Sequence, residues 1–589
     1  MYKKLLAVAG ASCLLFTGCI DDNYDLSNID TTSEIKVDNL TLPVNIDTMK
    51  LDQVFKLEDT SNIKIIEDNG QRIYALCQKD SFNSQSIEVQ TIHIAAPPIN
   101  PTHVGLTLPF NSKRRRIQSP DIPIPAAATS FSYETGDVDP AIFGLQAIYT
   151  YNTSLDITIT VDGVDISAVD LKNIHFQLPI GMKVSNLSAG SYNPEDGIWT
   201  IRDIKSANGR DITAHLDIDM MDLSTANPKL TFDTNRHYMR IDGSLGLADG
   251  TAVLDLDALA GAHPHSMAVD IKYELSDINV TGVSGKLDYA IEGINIDPVS
   301  IGTLPDFLKG EGTNIRIANP QLCLSLNNPV GDQNITYETG LRLTALRDNG
   351  VPAQSFSPDN NALVKVLCDH GVKGPYNFLI SPKETTPPAE FSENLSWVPF
   401  SSFSDILAVP EAYADKATLP ERIAIDVVNP CLTPGQSVDN FPLGRKLEPV
   451  KGTYELIAPL GFKEGSILIM ETTEDGWSSD DLKKMTISTL TITATVDNSA
   501  PVSAELDGYP IDSTGQQIGN VTVTSNTVAA NTDGQQLTIT MSGEIKDLDG
   551  INIRAIMRSS DNSSPLAPNQ YLLFKNVRAT VSGSYITDF

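Results

Sequence analysis

The chain has 589 residues, of which 41% are hydrophobic and 20% are charged, and its formal net charge is −32. That length exceeds what one hydrophobic core usually supports, so we expect several domains, and the composition is typical of folded domains rather than a disordered tether. The strong negative charge makes nucleic acids and anionic membrane surfaces poor partners, because their phosphate groups would be repelled.

The first 18 residues have the composition of an export signal. Lys3 and Lys4 give a positively charged start, and the run 5–16 is apolar or small but too short to span a bilayer. Gly18 is a small residue of the type that a signal peptidase accepts before the cut, and Cys19 follows it directly. No later apolar run has the length needed to cross a membrane, so we expect attachment to depend on this end of the chain.

This arrangement resembles a bacterial lipoprotein signal, with Phe16 where Leu, Val or Ile is usual. The resemblance implies cleavage between Gly18 and Cys19 and acylation of Cys19, palmitate included. An ordinary secretory signal that is cut elsewhere is the alternative interpretation.

The polar, acidic segment 19–33 has no apolar periodicity and predicts an extended spacer. Within it, Asp21 and Asp22 come directly after the lipoprotein cysteine. This position resembles the surface-export signal of Bacteroidota lipoproteins. The resemblance implies a lipid-anchored protein of the outer membrane that is exposed at the cell surface, with the periplasmic face as the alternative.

Beyond the spacer, apolar and polar residues alternate as in half-buried strands, at 155–161, 489–496, 521–524 and 537–541. Asp-Gly and Asn-Gly pairs are typical of turns between such strands, and they occur at 162–163, 208–209, 249–250, 507–508, 533–534 and 549–550. The sequence therefore predicts an all-β fold of several antiparallel β-sandwich-like domains in tandem. Helix signals are few and short, at 51–57, 304–308 and 479–485.

Proline-rich and polar stretches mark the predicted domain boundaries. We place an N-terminal β domain at 34–118, two further β domains at 126–262 and 266–378, a proline-rich connector at 379–439, and a C-terminal β domain at 440–589.

Four cysteines follow Cys19, namely Cys77, Cys323, Cys368 and Cys431. An oxidising exported compartment permits a disulfide, and four thiols allow three pairings, of which we favour Cys323–Cys368. No CxxC pair occurs, so the sequence gives no support to a zinc site.

The sequence contains no GxSxG, HExxH or Walker motif, so we expect a non-enzymatic protein with no catalytic residues, metal or cofactor. A hydrolase with an unrecognised carboxylate site is the alternative. The strongest metal candidate is His263 and His265 beside the acidic segment 255–257, with exposed loop histidines as the favoured alternative. The segments 162–165 and 547–550 partly resemble calcium loops, but they lack the full ligand series, and turn carboxylates explain them better.

Trp397 and Trp477 are the candidate ligand platform. Sugar sites commonly use exposed aromatic rings beside polar groups. Trp397 lies in the proline-rich segment and Trp477 follows the acidic loop 474–476, so we expect both to be exposed, whereas Trp199 alternates with apolar residues on a predicted strand. A packing role is the favoured alternative for each tryptophan.

Three short segments, Asp30-Thr31, Asp47-Thr48 and Asp512-Ser513, resemble the Asp-Ser/Thr acceptor motif for O-glycosylation in Bacteroidota. The resemblance implies modification of Thr31, Thr48 and Ser513 on exposed backbone outside the cytoplasm.

Taken together, the signal, the spacer and the β-rich remainder resemble the large outer-membrane and surface lipoproteins of Bacteroidota. The resemblance implies a lipid-anchored cell-envelope protein that presents a non-catalytic binding or structural surface at the outer membrane. Its partner would be a glycan, or an envelope or host protein. The alternative is a glycan-binding accessory lipoprotein of a polysaccharide uptake system.

Overall fold

The computed structural model describes residues 32–588 apart from gaps at 43, 45, 47, 56, 58–60, 69, 109, 112–115, 118–120, 206–210, 260–263, 302–303, 306–307, 309–311, 348–362, 411–416, 433–435 and 561–563. Within these residues the chain forms β-sheets with short helices, and the strand pairs are antiparallel apart from one, which confirms the predicted all-β class.

Two facing sheets come mostly from residues 92–287. In hydrogen-bonded order, sheet I contains Gln436–Pro442, Ile278–Leu287, Ile142–Thr150, Ile212–Asp222, Ser154–Asp162, Ser266–Leu275 and Thr102–Thr107, with Lys183–Ser185 beside Ile212–Asp222 and Ile92–Ile94 beside Ile278–Leu287. Sheet II contains Ala127–Thr135, Tyr238–Leu254, Val169–Gln177, Ile198–Lys205 and Ser191–Asn193, with Lys229–Asp233 and Asp121–Ile124 beside Tyr238–Leu254. Leu155 and Met221 of sheet I face Phe131 and Leu245 of sheet II across a small apolar cavity, so the two sheets form a sandwich.

Of two further sheets, sheet III combines early and late segments of the chain, whereas sheet IV comes from the middle of the chain. Sheet III contains Leu395–Pro399, Tyr376–Ser381, Gln321–Leu326, Lys451–Pro459, Gln71–Asn83 and Ile63–Asp68. Sheet IV contains Val299–Ser300, Arg422–Leu432, Tyr337–Leu346 and Leu363–Cys368. The first two strands of sheet III run parallel to each other.

Of the last two sheets, sheet V brings the two ends of the described chain together, and sheet VI comes from the later part of the chain. Sheet V contains Thr32–Leu42, Tyr571–Asp588, Met485–Asn498, Thr532–Ile545 and Thr522–Ser525, with Met49–Lys50 beside Tyr571–Asp588. Sheet VI contains Ile467–Glu474, Leu548–Arg558, Ser503–Asp512 and Thr527–Val528. Buried residues from all six sheets join one continuous hydrophobic cluster.

The remaining elements are short. Two small ribbons pair Val409–Pro410 with Ala417–Thr418 and Phe110–Asn111 with Arg116–Ile117. The helices are Leu51–Phe55, Phe403–Ile406 and Asp480–Lys483, and single 3-10 turns occur at Ile166–Ala168, Gly331–Gln333 and Ala389–Phe391. Ser479 caps the third helix by accepting a hydrogen bond from the Leu482 amide at 3.2 Å, so the predicted helices near 51 and 479 are confirmed.

Alternating hydrophobicity places the strands correctly, whereas the Asp-Gly pairs do not all form turns. In Ser154–Asp162, Leu155, Ile157 and Ile159 are buried while Asp156 is exposed, as a half-buried strand requires. Asp249-Gly250, Asp507-Gly508, Asp533-Gly534 and Asp549-Gly550 lie inside strands, so the turn prediction is wrong there. At Gly550 a Cβ atom would lie 2.1 Å from the Glu474 carbonyl oxygen, so this glycine permits close backbone approach.

Strand pairing crosses the predicted domain boundaries. The segment 34–118 contributes Thr32–Leu42 to sheet V, Gln71–Asn83 to sheet III and Thr102–Thr107 to sheet I. The segment 379–439 contributes strands to sheets III and IV, so it differs from the predicted connector. Pro399 and Pro410 each end a short strand, where a missing N–H removes no interior ladder bond.

The four cysteines after Cys19 are free thiols. The favoured Cys323–Cys368 disulfide is therefore wrong. Cys323 lies in sheet III within a small separate cluster, whereas Cys368 lies in sheet IV within the main core. Burial raises the pKa of both thiols to about 12. Across the described part of the chain, no helix combines the length and apolar character that a membrane span needs.

Candidate functional site

Trp199 belongs to the core. It is fully buried in the strand Ile198–Lys205, and its indole Nε1 donates a hydrogen bond to the Ala189 carbonyl at 2.8 Å. Its ring also packs against Phe176, with 5.8 Å between the ring centroids. The packing role predicted from its strand position is thus confirmed.

Trp477 is half-buried and packs against the main core, so it is less exposed than we expected. Its loop follows the strand Ile467–Glu474 and is held by Asp549. The Trp477 amide donates to the Asp549 carbonyl at 2.6 Å, and the Asp549 carboxylate accepts hydrogen bonds from the amides of Ser478 at 2.9 Å and Gly476 at 3.4 Å. Hydrogen bonding from Ser478 lowers the pKa of Asp549.

Trp397 is the exposed tryptophan of the predicted pair. It lies on the edge strand Leu395–Pro399 of sheet III, with 39% of its surface exposed, and Leu395 on the same strand is 37% exposed. The indole Nε1 of Trp397 donates to the Ser381 hydroxyl at 3.2 Å, which fixes the tilt of the ring against the neighbouring strand.

A cross-sheet row of directly paired residues continues from Trp397 over sheet III. The row is Trp397, Leu379, Cys323, Glu455 and Lys79, one residue from each of five adjacent strands. Directly paired residues share a face, so one surface has an exposed aromatic ring at one end, buried apolar groups in the middle and charges at the other end.

The turn Ala389–Phe391 covers the middle of this row. Phe391 is buried with Leu379 and Cys323 in the small cluster on this face. Glu390 in the same turn forms an ion pair with Lys79, whose Nζ lies 5.8 Å from the centre of the Phe391 ring. Burial, followed by the charge of Glu390, raises the pKa of Glu455.

One buried polar atom of this sheet, Asn377 Oδ1, has no hydrogen-bond partner among the described residues. Asn377 is 1% exposed, and its side-chain amide donates to the Glu393 carbonyl at 2.5 Å. The sequence did not indicate this face, because its members come from strands that are far apart in the chain. The arrangement suits binding, since it offers an aromatic ring beside a sheet edge that has no further partner strand among the residues that the structure describes.

The carboxylates that were considered as metal ligands are engaged in turns. Asp255 accepts from the Asp257 amide at 3.0 Å, and Asp165 caps its turn by accepting from the Ser167 amide at 2.9 Å. Among the residues that the structure describes, no group of three or more His, Cys, Asp or Glu side chains is placed to hold a metal ion. His263 lies outside those residues.

Of the predicted O-glycosylation sites, Ser513 is exposed and Thr48 is half-buried. Ser513 donates its hydroxyl to Asp547 at 2.8 Å, within a turn held by Asp512. Thr31 lies outside the described residues. The same holds for the predicted lipidation, cleavage and export residues Gly18, Cys19, Asp21 and Asp22.

Cross-strand His–Asp pairs are a feature that the sequence analysis missed. His103 contacts Asp270 at 2.6 Å in sheet I, and His175 contacts Asp249 at 2.6 Å in sheet II. His215 contacts Asp156 at 2.8 Å, and this hydrogen bond is the main cause of its raised pKa. The strand register creates these pairs, so spacing along the chain could not reveal them.

No protein-family model and no curated protein matches the chain. Among solved structures, it is similar to a protein from Parabacteroides distasonis described as "a putative secreted protein", with 14% identity and a TM-score of 0.34 over 51% of this chain and 90% of that chain. It is also similar to a chain of Broad Bean Stain Virus, with 10% identity and a TM-score of 0.12 over 47% of this chain and 79% of that chain. At these TM-scores neither similarity carries a fold family or a function over to this protein.

Proposed function

We propose that the protein is anchored in the bacterial outer membrane by lipid on Cys19 and presents a non-catalytic binding or structural surface outside the cytoplasm. The observation that carries this proposal is the export segment that ends at Cys19, followed by Asp21 and Asp22. Several acyl chains on one cysteine anchor a protein firmly, whereas a single chain holds it only marginally.

The strand pairing supports this proposal, because it ties the proposed tether to the folded body. Residues 20–31 separate Cys19 from the strand Thr32–Leu42, and a fully extended spacer of this length reaches about 40 Å. Thr32–Leu42 pairs with the C-terminal strand from Thr32↔Asp588 to Leu42↔Ala579. A force on the lipid would therefore act on the hydrogen bonds between Thr32–Leu42 and Tyr571–Asp588.

Fractionation of cells that express Cys19→Ser tests this proposal. We expect wild-type protein in the membrane fraction and the variant in the soluble fraction, because no acyl chain can be attached. Cys13→Ser is the matched control and should fractionate as wild type, since Cys13 lies in the segment that is removed. Retention of Cys19→Ser in the membrane would contradict the proposal.

A glycan-binding accessory role is the second candidate, and the exposure of Trp397 favours it. An aromatic face at a sheet edge can stack on a sugar ring. Saturable binding on an oligosaccharide array that is lost in Trp397→Ala and kept in Leu395→Ala would support this role. Equal loss in both variants would indicate a general effect on the edge strand.

A further inference from the structure

We infer that the strand Leu395–Pro399 is a docking edge for an extended segment of another protein, which adds a strand to sheet III. The inference rests on the proposed function, because it assigns the binding surface a position and a class of partner. It depends on the backbone of the edge, on the side chains beside it and on the charge of the molecule.

The backbone of this strand presents hydrogen-bonding groups to its open side. The Asn377 amide donates to the Asn394 carbonyl at 3.4 Å, and the Phe400 amide donates to the Ser381 carbonyl at 2.9 Å. Backbone groups alternate sides along a strand, so the N–H and C=O of Leu395 and Trp397 point away from Tyr376–Ser381. In the part of the chain that the structure describes, Leu395–Pro399 pairs with that strand alone.

The side chains beside these groups are apolar and exposed. Leu395 and Trp397 lie on one face, about 7 Å apart by strand geometry, with 37% and 39% of their surfaces exposed. Val398 points to the opposite face and packs against the main core. An incoming strand would place alternate side chains beside Leu395 and Trp397, and aromatic or β-branched pairs of this kind stabilise a sheet.

The two edges of sheet III differ in how they are protected. The edge strand Ile63–Asp68 carries Lys64, Glu67 and Asp68, and charges of this kind discourage pairing with another chain. Leu395–Pro399 carries no Asp, Glu, Lys or Arg. Pro399 has no N–H, so only the backbone N–H groups of Leu395 and Trp397 in this strand would donate hydrogen bonds to the incoming segment. The pairing would end at the Pro399 carbonyl.

The charge of the molecule indicates which kind of segment pairs with the strand Leu395–Pro399. Two copies of this chain, each with a formal net charge of −32, repel each other, which disfavours pairing of the edge with a second copy. The exposed Glu393 stands two residues before Leu395 and attracts a cationic neighbour. The partner is therefore an extended segment with alternating apolar residues and basic flanks.

Binding of a defined peptide to the full-length protein in detergent tests the inference. The probe is a short blocked peptide that alternates valine and threonine between terminal lysines, followed by fluorescence polarisation. We expect saturable binding to wild type and at least about a tenfold weaker affinity for Trp397→Pro, because proline removes a donor from the open side without removing a ladder bond. Trp397→Ala keeps that donor, so it should bind more tightly than Trp397→Pro.

A second measurement needs no protein variant. N-methylation of alternate peptide amides blocks one edge of the probe at a time. We expect methylation on the docking edge to abolish binding to wild type and methylation on the other edge to preserve it. Equal binding of the two methylated peptides, or no saturable binding of the parent peptide, would overturn the inference.

The outcomes also separate this inference from the proposals above. Oligosaccharide binding that is lost equally in Trp397→Ala and Trp397→Pro, with no binding of the peptide, would overturn the docking edge in favour of the glycan platform. Cys19→Ser protein should bind the peptide like wild type, because the edge is distant in sequence from the lipid. Failure of membrane attachment and failure of docking would therefore be seen independently.

Discussion

At the scale of single residues, Glu455 in the row from Trp397 to Lys79 on sheet III shows how burial changes the pKa of a carboxyl group. Its burial and the nearby charge of Glu390 raise its pKa, whereas Lys79 acts in the opposite direction. The Glu455 carboxyl thus binds its proton more tightly in the folded state than in the unfolded state. The stabilising contribution is present below the unfolded pKa and is lost as the pH rises through the folded pKa.

Glu455→Gln should therefore raise the melting temperature more at about pH 7 than at about pH 4, because the neutral amide avoids the cost of burying a charged carboxylate, and that cost falls as the carboxyl is protonated. Thermal unfolding of both proteins across this pH range measures the effect. Glu67→Gln, on the charged edge of the same sheet, is the control for loss of one negative charge. A lower melting temperature for Glu455→Gln at neutral pH would contradict this account.

At the scale of elements, the strand Tyr571–Asp588 organises sheet V, because it pairs with Thr32–Leu42 on one side and Met485–Asn498 on the other. At Gly583 the backbones approach closely, and a Cβ atom there would lie 2.1 Å from the Thr486 carbonyl oxygen and 2.8 Å from Ile487 Cα. The register with Met485–Asn498 shifts between Ile487 and Thr489, directly beside this glycine.

Gly583→Ala should destabilise sheet V by about 1–3 kcal/mol, because the added methyl group meets backbone atoms that cannot rotate away. Gly105→Ala is the matched control, since a Cβ atom at Gly105 in the strand Thr102–Thr107 meets nothing within 4 Å. We expect the control to stay within about 0.5 kcal/mol of wild type. Chemical denaturation of the two variants and the wild type checks both values. If Gly583→Ala were as stable as Gly105→Ala, the close backbone approach at Gly583 would not need a glycine.

At the scale of the whole molecule, the sheets join segments that are far apart along the chain. Sheet III combines Gln71–Asn83 with Lys451–Pro459, and sheet V combines Thr32–Leu42 with Tyr571–Asp588. Sheet III holds Cys77 and Cys323 in buried positions, sheet IV holds Cys368, and all three are free thiols. The structure therefore depends on packing rather than on a disulfide between these residues.

We expect these three thiols to resist Ellman's reagent in the native protein and to react when denaturant is added. Burial keeps the reagent out, and it raises the pKa of each thiol to about 12, so little reactive thiolate is present. Cys431 is partly exposed and should react earlier. Added reductant should leave the melting temperature unchanged, whereas a clear decrease would indicate a disulfide.

By itself the sequence determined the all-β class and the positions of many strands, because alternating apolar residues such as Leu155, Ile157 and Ile159 define a buried face locally. It also distinguished Trp199, which alternates with apolar residues and is buried, from Trp397, which lies near prolines and is exposed. Only the tertiary structure decided which strands pair, why Gly550 lies inside a strand and why Trp477 is half-buried. It also assembled the row from Trp397 to Lys79. The physical reason is that alternation depends on near neighbours, whereas pairing depends on which apolar faces bury each other, and those faces are separated by hundreds of residues in this chain.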